Sequence, residues 1–168
     1  YLKSFIYIDH SLFHSFNPIL LGMILMTFLY LRLCNNKSDV QGIEHFKSGE
    51  YNIALDQYNT YLLLHPHDLE TLYNRGRCFE AIGQPGKAIE DYDEVLERDP
   101  GNYKALLSLS QIYYKEGRYE LSINLCANAI MVNKDDYLAH YYKARAHHKN
   151  RDVTKALEEY NLTVDLNP

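Results

Sequence analysis

The chain has 168 residues, 46% hydrophobic and 23% charged, with a net charge of −5 and a pI near 5.9. That length holds one ordinary domain or a short repeat array, and the acidic balance excludes a general nucleic-acid binder, which carries a basic excess. Cys34, Cys78 and Cys126 are odd in number and far apart, which excludes a disulfide framework or a C-x-x-C zinc or redox site and makes a reducing, cytoplasmic setting the default.

The sequence starts at Tyr1 rather than Met and stops at Pro168, so it is expected to be part of a longer one. Residues 1–34 form an apolar lead-in. Ile19 to Leu31 carries no charge and no amphipathic period. As a helix it spans only about 20 Å against a hydrocarbon core of about 30 Å. Extending it to residues 16–33 gives about 27 Å, a marginal membrane span, with Asn17, Pro18 and Arg32 near the interfaces. If it spans, Arg32 and Lys37 keep the rest of the chain on the cytoplasmic side. Two other readings stay open: a buried helix of a preceding domain, or a gene-model artefact. His10 and His14 lie i, i+4 without a third ligand.

From residue 35 the chain repeats every 34 residues, in copies 35–68, 69–102, 103–136 and 137–168. Gly42, Gly76, Ser110 and Ala144 share a column of small residues. Gly49, Gly83, Gly117 and Arg151 follow, then Ala54, Ala88, Ser122 and Ala156. Tyr58, Tyr92, Cys126 and Tyr160 come next, and Pro66, Pro100, Lys134 and Pro168 close the copies. Each column has a physical reason. Small residues let two helices approach, a glycine after the first helix supplies a left-handed cap, and proline stops the second helix. The tyrosine packs its ring while its hydroxyl reaches an edge. Ala88-Ile89, Tyr92 and Val95-Leu96 follow the i, i+3/4 spacing of a buried helical face. Pro85 opens its helix, where proline is tolerated.

On Gly76, Gly83, Ala88, Tyr92 and Pro100, and on the matching residues of the neighbouring copies, residues 35–168 resemble the tetratricopeptide repeat family. Arg151, Lys134 and Cys126 depart from its pattern. The resemblance implies an all-α, right-handed superhelical solenoid of antiparallel helix hairpins, with the outer face of the fourth repeat left open.

The resemblance also implies that the first helix of each repeat lines a concave, peptide-binding groove. The residues assigned to it are Tyr73, Asn74 and Arg77, then Lys104, Gln111, Tyr114 and Lys115, then Tyr141, Arg145 and Lys149. Their neighbours on the same face are Asp39, Val40, Ile43, Phe46 and Lys47 in the first repeat and Glu70 and Glu80 in the second. Leu107, Ser108, Leu138, Tyr142 and His148 complete the set. Six cations face three anions there, whereas Glu90, Asp91, Asp93, Glu94, Glu97 and Asp99 make the second helix of the second repeat acidic. A mildly basic, tyrosine-lined groove suits an acidic protein or peptide partner.

Some family members hold a heat-shock chaperone's C-terminal carboxylate with lysine, two asparagines, lysine and arginine. Here those positions are Asp39, Ile43, Asn74, Lys104 and Ser108, of which only Asn74 and Lys104 match. That partner is disfavoured.

No phosphate loop, H-E-x-x-H or G-x-S-x-G is present, so neither an enzyme nor a cofactor is expected. His65-Pro66-His67 is assigned to a joining loop rather than a metal site, His147 shares a packing column with Phe79 and Tyr113, and Cys78 and Cys126 are assigned to the core. The Asn36 and Asn161 sequons are taken as accidental. The expected function is a protein–protein interaction scaffold or adaptor. The alternatives are a membrane-tethered receptor or co-chaperone with cytoplasmic repeats, and the recruiting arm of an enzyme whose catalytic domain lies elsewhere.

Overall fold

The computed structural model describes residues 22–23, 26–27 and 41–167. The 16–33 span as a whole, His10, His14, the Asn36 sequon, Asp39 and Val40 lie outside the described residues. Among those described, no helix is long and apolar enough to cross a membrane.

Every regular element among the described residues is a helix. The described part of α1 runs over 41–47. It is followed by α2 (Tyr51–Leu62), α3 (Leu69–Ala81), α4 (Pro85–Arg98), α5 (Tyr103–Lys115), α6 (Tyr119–Val132), α7 (Tyr137–Lys149) and α8 (Val153–Leu166). Helices adjacent in sequence pack against each other in series, and α5 also meets α7. The fold is thus the expected all-α solenoid of helix hairpins.

Local chemistry sets the ends of each helix. Asp68, Asn102 and Asp136 accept hydrogen bonds from the backbone N–H groups of Thr71, Ala105 and Leu138, satisfying donors that a first helical turn leaves open. Each first helix then closes in one recurring turn. Gly49, Gly83 and Gly117 have φ of 79°, 74° and 78°, and Arg151 adopts 67°. The residue after each donates its N–H five places back, Gln84 to Phe79 and Asp152 to His147 for example, which is the Schellman closure. Arg151 therefore keeps the turn despite its side chain, at a conformational cost of about 1–2 kcal/mol. Likewise α6 stops at Val132 without a proline, because Asn133 turns extended at φ −137° and ψ 99°.

The small-residue column has a different occupant from the one expected. A Cβ on Gly42 would lie 2.5 Å from Cε1 of Tyr58, and one on Gly76 would lie 2.6 Å from Cε1 of Tyr92. The space belongs to a tyrosine ring of the same hairpin rather than to a neighbouring backbone. Tyr58 and Tyr92 are accordingly buried to 1% and 0% exposure. When the column residue gains a side chain, the ring is lost or displaced. Ser110 and Cys126 meet in the third hairpin, both fully buried. In the fourth, where the column holds Ala144, Tyr160 is only half-buried and leans on Tyr141 with ring centroids 6.3 Å apart. Of α8, Ala156 alone is fully buried, while Val153, Leu157 and Val164 are exposed.

Gly76→Ala should destabilise the fold. Overpacking against Tyr92 costs about 1–3 kcal/mol, against roughly 1 kcal/mol gained from alanine's helix propensity. Gly76→Ser/Tyr92→Cys, which copies the third hairpin, should lose less stability than the sum of its single changes in urea denaturation.

Candidate functional site

The first helices are linked to one another by side chains of the predicted groove. The guanidinium of Arg77 on α3 lies over the Phe46 ring of α1, 4.3 Å from its centroid, and 5.9 Å from that of Tyr73. Tyr73 in turn faces Lys104 of α5 at 5.9 Å, and its hydroxyl meets Ser108 Oγ at 3.5 Å. Lys115 of α5 reaches back to Glu80 at 3.7 Å. Farther along, the guanidinium of Arg145 on α7 stands 4.6 Å from the Tyr114 centroid and 5.5 Å from that of Tyr141. These contacts join α1, α3, α5 and α7 into one strip.

Asn74 is half-buried on α3, and Lys149 is exposed at the end of α7. Gln111 lines a small cavity of about 10 Å³ with Tyr114, Tyr142 and Arg145. A larger cavity of about 440 Å³ opens at the strip's edge, lined by Leu69, Glu70, Tyr73, Asn102, Tyr103 and Lys104. Leu107 and Leu138 do not line the groove. Leu107 is buried with Ala129 and Ala139, and Leu138 packs on that cluster, because Leu107 turns toward the next hairpin and Leu138 back toward the preceding one.

The cations on this face are of two kinds. Among the described residues, Arg77, Lys104 and Arg145 take part in no salt bridge. Lys115 is held by Glu80, whose other carboxylate oxygen accepts the Tyr92 hydroxyl at 2.8 Å. Stacking on an aromatic face orients a guanidinium while its N–H edge stays available for in-plane acceptors.

Arg75 shows the opposite condition. It donates to both oxygens of Asp91, at 3.0 and 2.6 Å, and to Asn59 Oδ1 at 3.1 Å. Burial raises the Asp91 carboxyl even with the guanidinium upon it. This pair was not anticipated from sequence, although the columns carry its signal. Arg75 and Asp91, sixteen residues apart, correspond to Leu109 and Leu125 in the third repeat and to Lys143 and Glu159 in the fourth. The Leu pair joins the main core, and Lys143 Nζ lies 2.7 Å from Glu159.

The histidines differ in their settings, and His148 is exposed on α7. His67 belongs to the turn between α2 and α3 and faces Glu94 at 3.6 Å. The His140 Nδ1 bonds Glu159 at 2.7 Å. Burial pushes the Glu159 carboxyl up, but its bonds to Lys143 and His140 outweigh this and hold it below the usual range. His147 is buried, and its Nδ1 has no hydrogen-bond partner among the described residues. Its pKa is lowered, chiefly by burial, with Asp152 acting in the opposite direction. Among the described residues no three His, Cys, Asp or Glu side chains could hold a metal ion. Cys78 and Cys126 are free and buried, and burial pushes both thiols up to about 11.

The sequence matches the tetratricopeptide repeat model over residues 40–103, 81–130 and 107–168. It is 35% identical over 81 residues to the photosystem I assembly protein Ycf3 of Prochlorococcus marinus, covering 46% of this chain and 47% of that protein. It is 29% identical over 107 residues to DnaJ homolog subfamily C member 3 of Homo sapiens, covering 62% of this chain and 21% of that protein. The chain thus spans about half the length of the first relative and about a fifth of the second. In structure it resembles MamA (residues 41 to the end) from Desulfovibrio magneticus RS-1, with a TM-score of 0.75 at 21% identity, over 80% of this chain and 76% of that one. The chain belongs to the tetratricopeptide repeat family.

Replacing Arg75 alone by Met should cost about 3 kcal/mol, because Asp91 is left buried without its partner. Arg75→Leu/Asp91→Leu, which copies Leu109 and Leu125, should restore most of that loss in urea denaturation. A second expectation concerns pH. His147 binds its proton less readily in the folded chain than in the unfolded one, where histidine titrates near 6.5. Its contribution to stability therefore falls as pH drops through about 6.5. His147→Phe should flatten the decline in melting temperature between about pH 7 and pH 5.

Proposed function

We propose that the chain is a protein-interaction scaffold whose first-helix strip holds an extended, acidic segment of a partner protein. The observation that carries this reading is the state of Arg77 and Arg145. Both are backed by aromatic rings, and neither is salt-bridged among the described residues. Arginine recognises carboxylates through paired, charge-assisted hydrogen bonds, and a local cationic strip on a chain of net charge −5 favours acidic over basic partners. Tyr73, Tyr114 and Tyr141 add flat surface beside the cations, and Asn74, Gln111, Lys104 and Lys149 add polar contacts along the same helices.

The reading calls on no cofactor, metal or nucleic acid. A heat-shock chaperone tail is a poor fit, because only Asn74 and Lys104 match the clamp that takes it and Ser108 is drawn toward the Tyr73 hydroxyl. One relative is an assembly protein by name, in keeping with a module that gathers other proteins. The free, buried thiols of Cys78 and Cys126 suit a reducing compartment such as the cytoplasm.

Fluorescence anisotropy with a labelled oligoglutamate peptide tests the reading against an oligoglutamine control. The glutamate peptide should bind at least tenfold tighter, weaken as salt rises, and lose its advantage with Arg77→Glu/Arg145→Glu. Equal binding of the two peptides would sink the proposal.

A further inference from the structure

The strip repeats one contact at a fixed spacing. Arg77 stands one repeat after Phe46 and stacks on it; Arg145 stands one repeat after Tyr114 and stacks on it. These are the same two structural positions, two repeats apart, since Phe46 and Tyr114 are separated by twice 34 residues, as are Arg77 and Arg145. The copy between them is different. There the aromatic's place is taken by Glu80 and the arginine's by Gln111. Glu80 is fixed by the Tyr92 hydroxyl and Lys115. Along the groove the sites therefore alternate: a stacked arginine, an anchored carboxylate beside an amide, and a second stacked arginine.

We infer that this alternation reads an extended peptide with two carboxylate side chains about six residues apart and neutral or basic side chains at the two groove-facing residues between them. The inference rests on the reading of the strip as an acidic-peptide site and adds its spacing rule. Packed helices stand about 8–10 Å apart, so the two arginine sites lie about 20 Å from each other. An extended chain rises about 3.3 Å per residue and covers that distance in about six residues. An even separation also keeps both carboxylates on one side of the strand, facing the groove. Each arginine, with its plane set by the ring beneath it, accepts a carboxylate edge-on. The residues two and four places after the first carboxylate face the groove as well; a carboxylate there meets Glu80 and is repelled, whereas an amide or ammonium finds Glu80 and Gln111 as partners.

The probes are labelled Ser/Thr peptides carrying two aspartates three, six or nine residues apart, measured by fluorescence anisotropy against the full chain. Binding should peak at a separation of six. Glutamate at the residues two and four places after the first aspartate of that peptide should weaken it about tenfold, and glutamine or lysine there should not. Arg77→Lys and Arg145→Lys keep the charge but lose the planar fork. Each should reduce affinity for the six-spaced peptide about tenfold and remove the preference for that spacing, with circular dichroism confirming that the variants are folded. Equal affinity at all three separations, or lysine variants that bind as the parent does, would overturn the spacing rule while leaving a diffuse acidic-peptide groove. No aspartate peptide binding above a Ser/Thr control would overturn both. Should either lysine variant be unfolded, the glutamate, glutamine and lysine series at those two groove-facing residues on the parent chain decides the matter alone.

Discussion

The tyrosine ring seated on a glycine is the contact on which the rest of this solenoid depends. Tyr92 occupies the space that a Cβ on Gly76 would need, and this sets how closely the two helices of the hairpin approach. The same ring reaches the groove by two routes. Its hydroxyl binds Glu80, which holds Lys115 of the next repeat. Its ring centroid lies 5.5 Å from that of Tyr73, which meets Lys104 and Ser108 of the next repeat. A core packing choice therefore fixes where two cations of the strip stand. Repeat proteins carry stability from neighbour to neighbour, and here the interface and the strip share residues.

Two of the departures from the repeat come as matched pairs. Where Gly76 becomes Ser110, Tyr92 becomes Cys126; where Arg75 becomes Leu109, Asp91 becomes Leu125. Both changes follow from packing physics. A side chain in the glycine's place cannot coexist with a ring 2.6 Å away, and a buried carboxylate cannot outlive its arginine without a penalty of several kcal/mol. The Leu pair shows that the ion pair is not required for the hairpin to close. It also makes the third repeat the most apolar of the set, consistent with Leu109 lying in the largest core cluster.

Much of this was legible in the sequence, and the limits have physical causes. Column spacing carried the helix hairpins and the left-handed turns at Gly49, Gly83 and Gly117, because both are local properties repeated at a fixed period. Arg151 departs from the glycine column, yet the hydrogen bonds around it hold the same backbone. The cross-helix pairs were written in the columns as well, but seeing them requires comparing two positions sixteen residues apart together. Arg77 over Phe46 lies beyond such reading, since its geometry depends on the angle between successive hairpins. Leu107 was misplaced for a related reason: on a helix that touches neighbours on several sides, the boundary between groove and core is set by those neighbours and not by the helical period alone.

Arg75 and Arg77 make the distinction that matters most for function. Two positions apart on one helix, they point about 200° away from each other around its axis. One turns into the hairpin and is neutralised by Asp91; the other turns to the groove and rests on an aromatic ring. Counting charges along the face would also include Lys115, whose charge Glu80 already meets. What the strip offers a ligand is the remainder: Arg77, Lys104 and Arg145, with the exposed Lys47 and Lys149 at its ends. The proposed acid preference therefore rests on which cations the fold has left without an anionic partner, rather than on the sign of the face as a whole.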